Sequence, residues 1–144
     1  MKFKYDTNKP FWFNHAHATI VTDDLDPVYV GVHRSIPKLG EARVHRFLMA
    51  MILYYHIGLS CQIADSSTDD DFWDVMQANY EGSKRGTERR YFRGVQGQKC
   101  LDYLRANYKN PTEFWENTYR PKYSELMKAY EKIPAFGPYF VWKA

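Results

Sequence analysis

Ten residues in the middle of the chain carry its densest chemistry. Lys84, Arg85, Arg89, Arg90 and Arg93 face a single acid, Glu88, for a net +4 across residues 84–93. The whole chain is only +3 at neutral pH, so everything else sums to −1. Guanidinium groups present planar forks that match phosphate oxygens. Here they alternate with Tyr91 and Phe92, rings on which a base can stack. The run Glu88-Arg89-Arg90-Tyr91-Phe92-Arg93-Gly94 therefore suits a polyanion with stackable rings, while a solvated helix face carrying two core aromatics would read the same way. Gly94 and Gly97 are too few for a phosphate-cradling loop, and no Walker or dinucleotide fingerprint occurs.

A second candidate lies at the end of the chain. Tyr123, Leu126, Met127 and Tyr130 recur at i, i+3, i+4 and i+7, which predicts an amphipathic helix that Pro134 terminates. Gly137-Pro138 marks a turn before the apolar run from Tyr139 to Trp142. Helix, short hairpin and the start of another helix make a helix-hairpin-helix pattern over residues 120–144. Exposed backbone N–H groups and a helix dipole in such a hairpin suit a DNA phosphate without reading a base. An ordinary helical corner packed by Phe136, Phe140 and Trp142 is the competing explanation.

Other chemistry-bearing residues point to structure. Asp65, Asp69, Asp70, Asp71, Asp74 and Glu81 form an acidic stretch with no base among them. Ser66-Ser67-Thr68 before Asp69-Asp70-Asp71 predicts a helix start with a hydroxyl cap and acids in the first turn, which explains the carboxylates better than a metal cluster does. His15 and His17 form an H-x-H pair without a Cys or acidic partner at ligand spacing. No metal and no cofactor is expected. Cys61 and Cys100 stand apart, and Met1-Lys2-Phe3 opens no signal peptide, so reduced thiols in a cytoplasmic protein are expected.

The elements that must position these groups are helices. At 144 residues, with 44% apolar and 17% aromatic content, the chain reads as one folded domain over residues 1–144. No apolar run is long enough to span a membrane. Residues 1–25 form an irregular aromatic segment containing Phe11-Trp12-Phe13. Asp26-Pro27 before Val28-Tyr29-Val30-Gly31-Val32 mixes strand-like side chains with a helix cap, and the cap favours helix. From Glu41 to Ile57 the chain is apolar on nearly every face, predicting a central buried helix stopped by Gly58. Leu48 and Ile52 are its expected core contacts. Its tail, Tyr54-Tyr55-His56, is polar enough to line a pocket, with His56 reading first as a boundary histidine. Phe72, Val75, Met76 and Tyr80 mark another helix, as do Val95, Leu101, Leu104 and Tyr108. Asn110-Pro111-Thr112-Glu113 opens a short helix expected to bury Phe114, Trp115 and Tyr119.

Several segments taken together resemble one family. They are Leu25-Asp26-Pro27-Val28-Tyr29, Tyr54-Tyr55-His56-Ile57-Gly58, the Glu88–Gly94 run, and Phe136-Gly137-Pro138-Tyr139-Phe140-Val141-Trp142-Lys143-Ala144. In that order they are similar to the phage amino acid:DNA transferases and their relatives, the α-glutamyl/putrescinyl-thymine pyrophosphorylases. The similarity covers roughly residues 12–144. It implies an all-α, DNA-glycosylase-like helical domain ending in a helix-hairpin-helix. It also implies a substitution, in which a phosphorylated or pyrophosphorylated 5-hydroxymethyluracil in DNA loses its phosphate group to an amino acid or other amine. The implied partners are double-stranded DNA with modified bases and the amine, in the cytoplasm of the phage's host.

That reaction assigns roles to residues. Extruding a base needs aromatics to hold it, for which Tyr54, Tyr55 and Tyr91 are candidates. A departing phosphate and the DNA backbone need cations and N–H donors: Arg89, Arg90, Arg93, Lys84, Lys143 and the hairpin at Gly137. A neutral amine needs a proton acceptor, and His56 or Asp26 could serve. Three departures from the glycosylase pattern stand out. Ala135 replaces the first hairpin glycine, Tyr139 stands where lyase-type enzymes keep a Schiff-base lysine, and the catalytic aspartate would fall beyond Ala144. A short form, one half of a split enzyme, or a remnant that binds DNA without acting on it all agree with this. So does a phage protein that binds a host protein. A missing half would expose apolar surface around Trp142 and the 41–57 helix, predicting self-association or a second polypeptide.

Overall fold

A computed structural model describes residues 7–10, 31–32, 34–83 and 92–136. Among these residues the regular structure is entirely helical, with no strand: six α-helices from Glu41 onward, preceded by a 3-10 turn and by helical residues at 31–32 and 34–35. The chain divides into two compact units, residues 1–38 and 39–144. In the first, residues 31, 32, 34 and 35 are helical and lead into the 3-10 turn Ile36–Lys38. The Ser35 hydroxyl donates to the Gly31 carbonyl at 2.8 Å. Asp26 and Pro27, whose capping signal favoured helix here, lie outside the described residues.

The second unit is built around α1 (Glu41–Tyr54). Phe47, Met49, Ala50, Leu53 and Tyr54 have no exposed surface, so this helix is the centre of the core. Leu48 and Ile52 are only half-buried, so they are not its main contacts. The stop also differs from expectation. Tyr55 adopts a left-handed conformation (φ 52°, ψ 42°) and its N–H closes the last turn on the Met51 carbonyl at 2.8 Å. His56 then caps the next helix, α2 (Ile57–Ser66), whose first turn contains Gly58. The corner is made by a left-handed tyrosine and a capping histidine, and the glycine has no part in it. A non-glycine residue in that region costs about 1 kcal/mol or more, and the core packing of Tyr54 just before it holds the turn in place.

Helices α3 (Phe72–Ala78), α4 (Gly94–Asn107), α5 (Pro111–Thr118) and α6 (Tyr123–Tyr130) complete the unit. They pack largely in chain order, and α5 returns to lie against α1. Their buried contributions are Phe72, Trp73 and Met76, then Cys100, Leu101 and Leu104, then Phe114 and Tyr130. Phe114 is the aromatic hub. Tyr108 and Trp115 meet it edge-on at 5.0 and 4.9 Å, and Tyr130 stacks at 5.9 Å. Such ring pairs add roughly 0.5–1.5 kcal/mol each beyond the area they bury. Burial also raises the Tyr130 hydroxyl above its ordinary pKa and pushes the Cys100 thiol up to about 12.

Local capping chemistry sets the helix starts. Asn110 accepts the Glu113 N–H at 2.9 Å, and Pro111 is the first helical residue of α5, as its sequence required. The carboxylate of Glu113 reaches back to the Lys109 N–H. Ahead of α3, Thr68 and Asp71 cap each other: the Thr68 N–H donates to Asp71 at 2.5 Å and the Asp71 N–H donates to Thr68 Oγ1 at 3.3 Å. The Thr68 N–H holds the Asp71 carboxyl below the usual carboxylate range. One apolar expectation fails at a helix end: Tyr119 follows α5 and is 69% exposed. Val95 lies in the first turn of α4, in the helix expected of it, and is 72% exposed. No helix among the described residues is long and apolar enough to cross a membrane.

Candidate functional site

The arginine-aromatic run is described only from Phe92 onward. Lys84, Arg89, Arg90 and Tyr91 lie outside the described residues, as do Asp26, Gly137, Trp142 and Lys143. Phe92 shows what anchors the run. Its ring is fully buried, with Tyr54 edge-on at 5.2 Å and Tyr80 edge-on at 5.3 Å. Two segments joined by the sequence reading, the tail of α1 and the end of the run, therefore meet through core aromatics. Tyr54 is spent on this contact: it is fully buried and its hydroxyl donates to the Met76 carbonyl at 3.2 Å. Its ring offers no open face to a base. Tyr55, half-buried, leaves the helix on a different heading through its left-handed backbone.

Two glycines fix how the run enters α4. Gly94 takes φ +50°, a backbone that L side chains rarely adopt. A Cβ on Gly97 would lie 2.4 Å from the Tyr80 hydroxyl and 2.6 Å from the Phe92 backbone carbonyl carbon. The Tyr80 hydroxyl donates to the Gly94 carbonyl at 2.6 Å and pins the entry. Arg93 is exposed and occupies the N-cap position in extended conformation, with no side-chain cap hydrogen bond. First-turn N–H groups without a side-chain acceptor suit water or an anion. The cationic run thus feeds into the positive end of a 14-residue helix.

The hairpin segment lies beside the same helix start. Ile133, Pro134, Ala135 and Phe136 line a cleft of about 520 Å³ together with Gln96 of α4. The Phe136 N–H donates to the Ile133 carbonyl at 3.1 Å, and Ala135 has φ +67°. Proline followed by a positive φ, closed by that bond, meets the demands of a type II turn. Ala135 therefore holds the conformation that a glycine would supply more cheaply, although the glycine itself is gone.

His56 has a defined role. Its Nδ1 accepts the Leu59 N–H at 3.1 Å, capping α2. A lone pair on Nδ1 puts the proton of the neutral ring on Nε2. The ring can donate from Nε2, and Nδ1 accepts no proton while it holds the cap.

The first turns of α1, its other end, hold a polar network that the sequence did not single out. Arg46, 7% exposed, donates from Nη1 to Asp69 Oδ1 at 2.7 Å and from Nη2 to the Ala64 carbonyl at 3.4 Å. Its buried Nε has no hydrogen-bond partner among the described residues. Asp69 Oδ2 accepts from the Thr112 hydroxyl at 3.3 Å, and Thr112 Oγ1 lies 3.0 Å from His45 Nδ1. The Trp115 indole N–H donates to the His45 carbonyl at 3.3 Å and ties α5 to this end of α1. Beside the network, Arg43 pairs with Asp65 at 2.7 Å. Asp74 pairs with Arg105, and Asp70 lies 3.8 Å from Lys109. The acidic stretch is thus shared between ion pairs and a cap, where capping alone was expected.

The large apolar side chains exposed among the described residues are Val95, Tyr119 and Tyr123. They lie off α1, whose largest apolar residues are in the core, so that helix does not present the open apolar face expected for pairing.

No family model matches the chain. It is 54% identical over 143 residues to a putrescinyltransferase of Delftia phage PhiW-14, covering 99% of the chain and 46% of that protein. That likeness to a phage transferase runs along nearly the whole chain. A glycinyltransferase of Pseudomonas phage PaMx11 is 26% identical over 134 residues, covering 85% of the chain and 45% of that protein. The chain therefore spans about half the length of the curated relatives it matches. Both relatives are named for transferring an amine-bearing group, putrescinyl in one and glycinyl in the other.

Proposed function

We infer that the chain works in phage DNA modification, on a 5-hydroxymethyluracil whose hydroxyl carries phosphate or pyrophosphate. An amino acid or other amine attacks the methylene carbon and the phosphate group leaves. The observation that carries this reading is the match to a putrescinyltransferase along 99% of the chain, which takes in both the arginine-aromatic run and the hairpin. The uncapped start of α4 next to exposed Arg93 adds physical support, because it concentrates positive potential where the run ends. In this reading Lys84, Arg89, Arg90 and Arg93 grip DNA phosphates, with Lys143 and the hairpin at Gly137 adding to the grip. Tyr55 and Tyr91 supply stacking surface. No base is read by this contact, so the affinity falls steeply with salt.

Nucleoside mass spectrometry tests the reading. The protein is incubated with duplex DNA carrying the phosphorylated base and with putrescine or glycine, then the DNA is digested. A new aminated thymidine is the expected product. Salt-dependent DNA binding without any adduct would favour a non-catalytic module, and neither binding nor adduct would overturn both.

A further inference from the structure

The two histidines on α1 and at its end have opposite hydrogen-bonding roles, and that contrast identifies a proton acceptor. In the network at the first turns of α1, the direction of every bond is fixed by chemistry. The Asp69 carboxylate can only accept, so the single Thr112 hydroxyl proton points to Asp69 Oδ2. Thr112 Oγ1 can then only accept from His45, which puts a proton on His45 Nδ1. The neutral His45 ring therefore keeps its lone pair on Nε2. Arg46, buried and bonded to Asp69 Oδ1, holds the carboxylate that orders the whole chain of bonds. His45 itself is half-buried.

We propose that His45 Nε2 is the general base that takes the proton from the attacking amine, with Thr112, Asp69 and Arg46 as positioning residues. The inference rests on the reaction proposed above. The amine nitrogen forms a bond to the methylene carbon, and the carbon–oxygen bond to the phosphate group breaks. The phosphate or pyrophosphate leaves with the electron pair, and the proton lost by nitrogen passes to Nε2. A base whose far nitrogen is fixed by a hydroxyl and a carboxylate keeps one tautomer and one ring orientation, which base catalysis requires. His56 has the opposite arrangement and cannot fill this role while it caps α2. His45 lies about 15 Å along α1 from the corner beside which the arginine run is anchored.

The test measures amine transfer by the full chain with putrescine and with glycine on DNA carrying the phosphorylated base. His45→Ala should lower kcat about 100-fold or more, and added imidazole should restore part of the loss. His45→Gln, which keeps an amide to donate to Thr112 and so protects the fold, should show the same loss. Thr112→Val should lower kcat about 10-fold with little change in KM, and Thr112→Ser should recover it. Undiminished transfer by both His45 variants, or a loss that imidazole does not touch in a folded His45→Ala protein, would overturn the proposal and leave the transferase reading standing. If the wild-type chain transfers neither amine, the transferase reading fails and this proposal fails with it.

Discussion

The two ends of α1 solve different problems with similar residues. At the C-terminal end, Tyr54, Tyr80 and Phe92 form a closed aromatic contact, and His56 is consumed by a helix cap. At the N-terminal end, a buried arginine, a carboxylate, a threonine and His45 make an ordered polar chain that ends on a ring nitrogen with no partner among the described residues. One end is a mount and the other is equipped for proton transfer. A histidine's neighbours in sequence do not reveal which role it has. The partner of Nδ1 decides it: a backbone N–H makes that nitrogen an acceptor, and a hydroxyl already committed to a carboxylate makes it a donor.

The mount should be the more costly end to break. Phe92→Ala removes a fully buried ring and should destabilise the protein by about 4 kcal/mol, read from denaturant unfolding. A loss below about 1 kcal/mol would mean that the arginine run is not anchored there.

Asp69→Ala probes the other end. It leaves Arg46 buried without its carboxylate, a change that costs about 3 kcal/mol, at the low side because Asp69 itself is 37% exposed. The double variant Arg46→Met with Asp69→Ala should recover much of that loss, since no uncompensated charge then remains buried. Additive losses would show that the pair does not act as a unit.

How far the sequence could see follows from how local each signal is. Apart from α2, the helices of the second unit and the start of α5 are legible in the sequence, because periodicity and the Asn110-Pro111-Thr112-Glu113 cap act over a few residues. Burial of Tyr119 does not follow from its residue type, because it lies just past the end of α5, where it faces outward. The stop after α1 was credited to Gly58, since glycine is the usual signal, whereas a left-handed Tyr55 and a capping His56 do the work. The His45 network was invisible for a different reason. Its bonds join residues 23, 43 and 67 positions apart, and two of its members have an adequate local explanation. Asp69 looked like a helix-start acid and Thr112 like part of a capping signature.

The smallest expected effect lies in the hairpin. Ala135→Gly should stabilise the protein by about 1 kcal/mol, because glycine accepts φ +67° without the Cβ penalty. Thermal unfolding reads it as a modest rise in Tm. A fall would mean that the alanine methyl packs usefully in the turn.

The most direct measurement is the tautomer of each histidine, read by long-range nitrogen–proton correlation NMR on the ¹⁵N-labelled chain at mildly alkaline pH. His45 should carry its proton on Nδ1 and show an unprotonated Nε2, while His56 should show the reverse. Thr112→Val should loosen the first pattern and leave the second untouched. Finding His45 protonated on Nε2, in the same tautomer as His56, would contradict the division of labour between the two ends of α1.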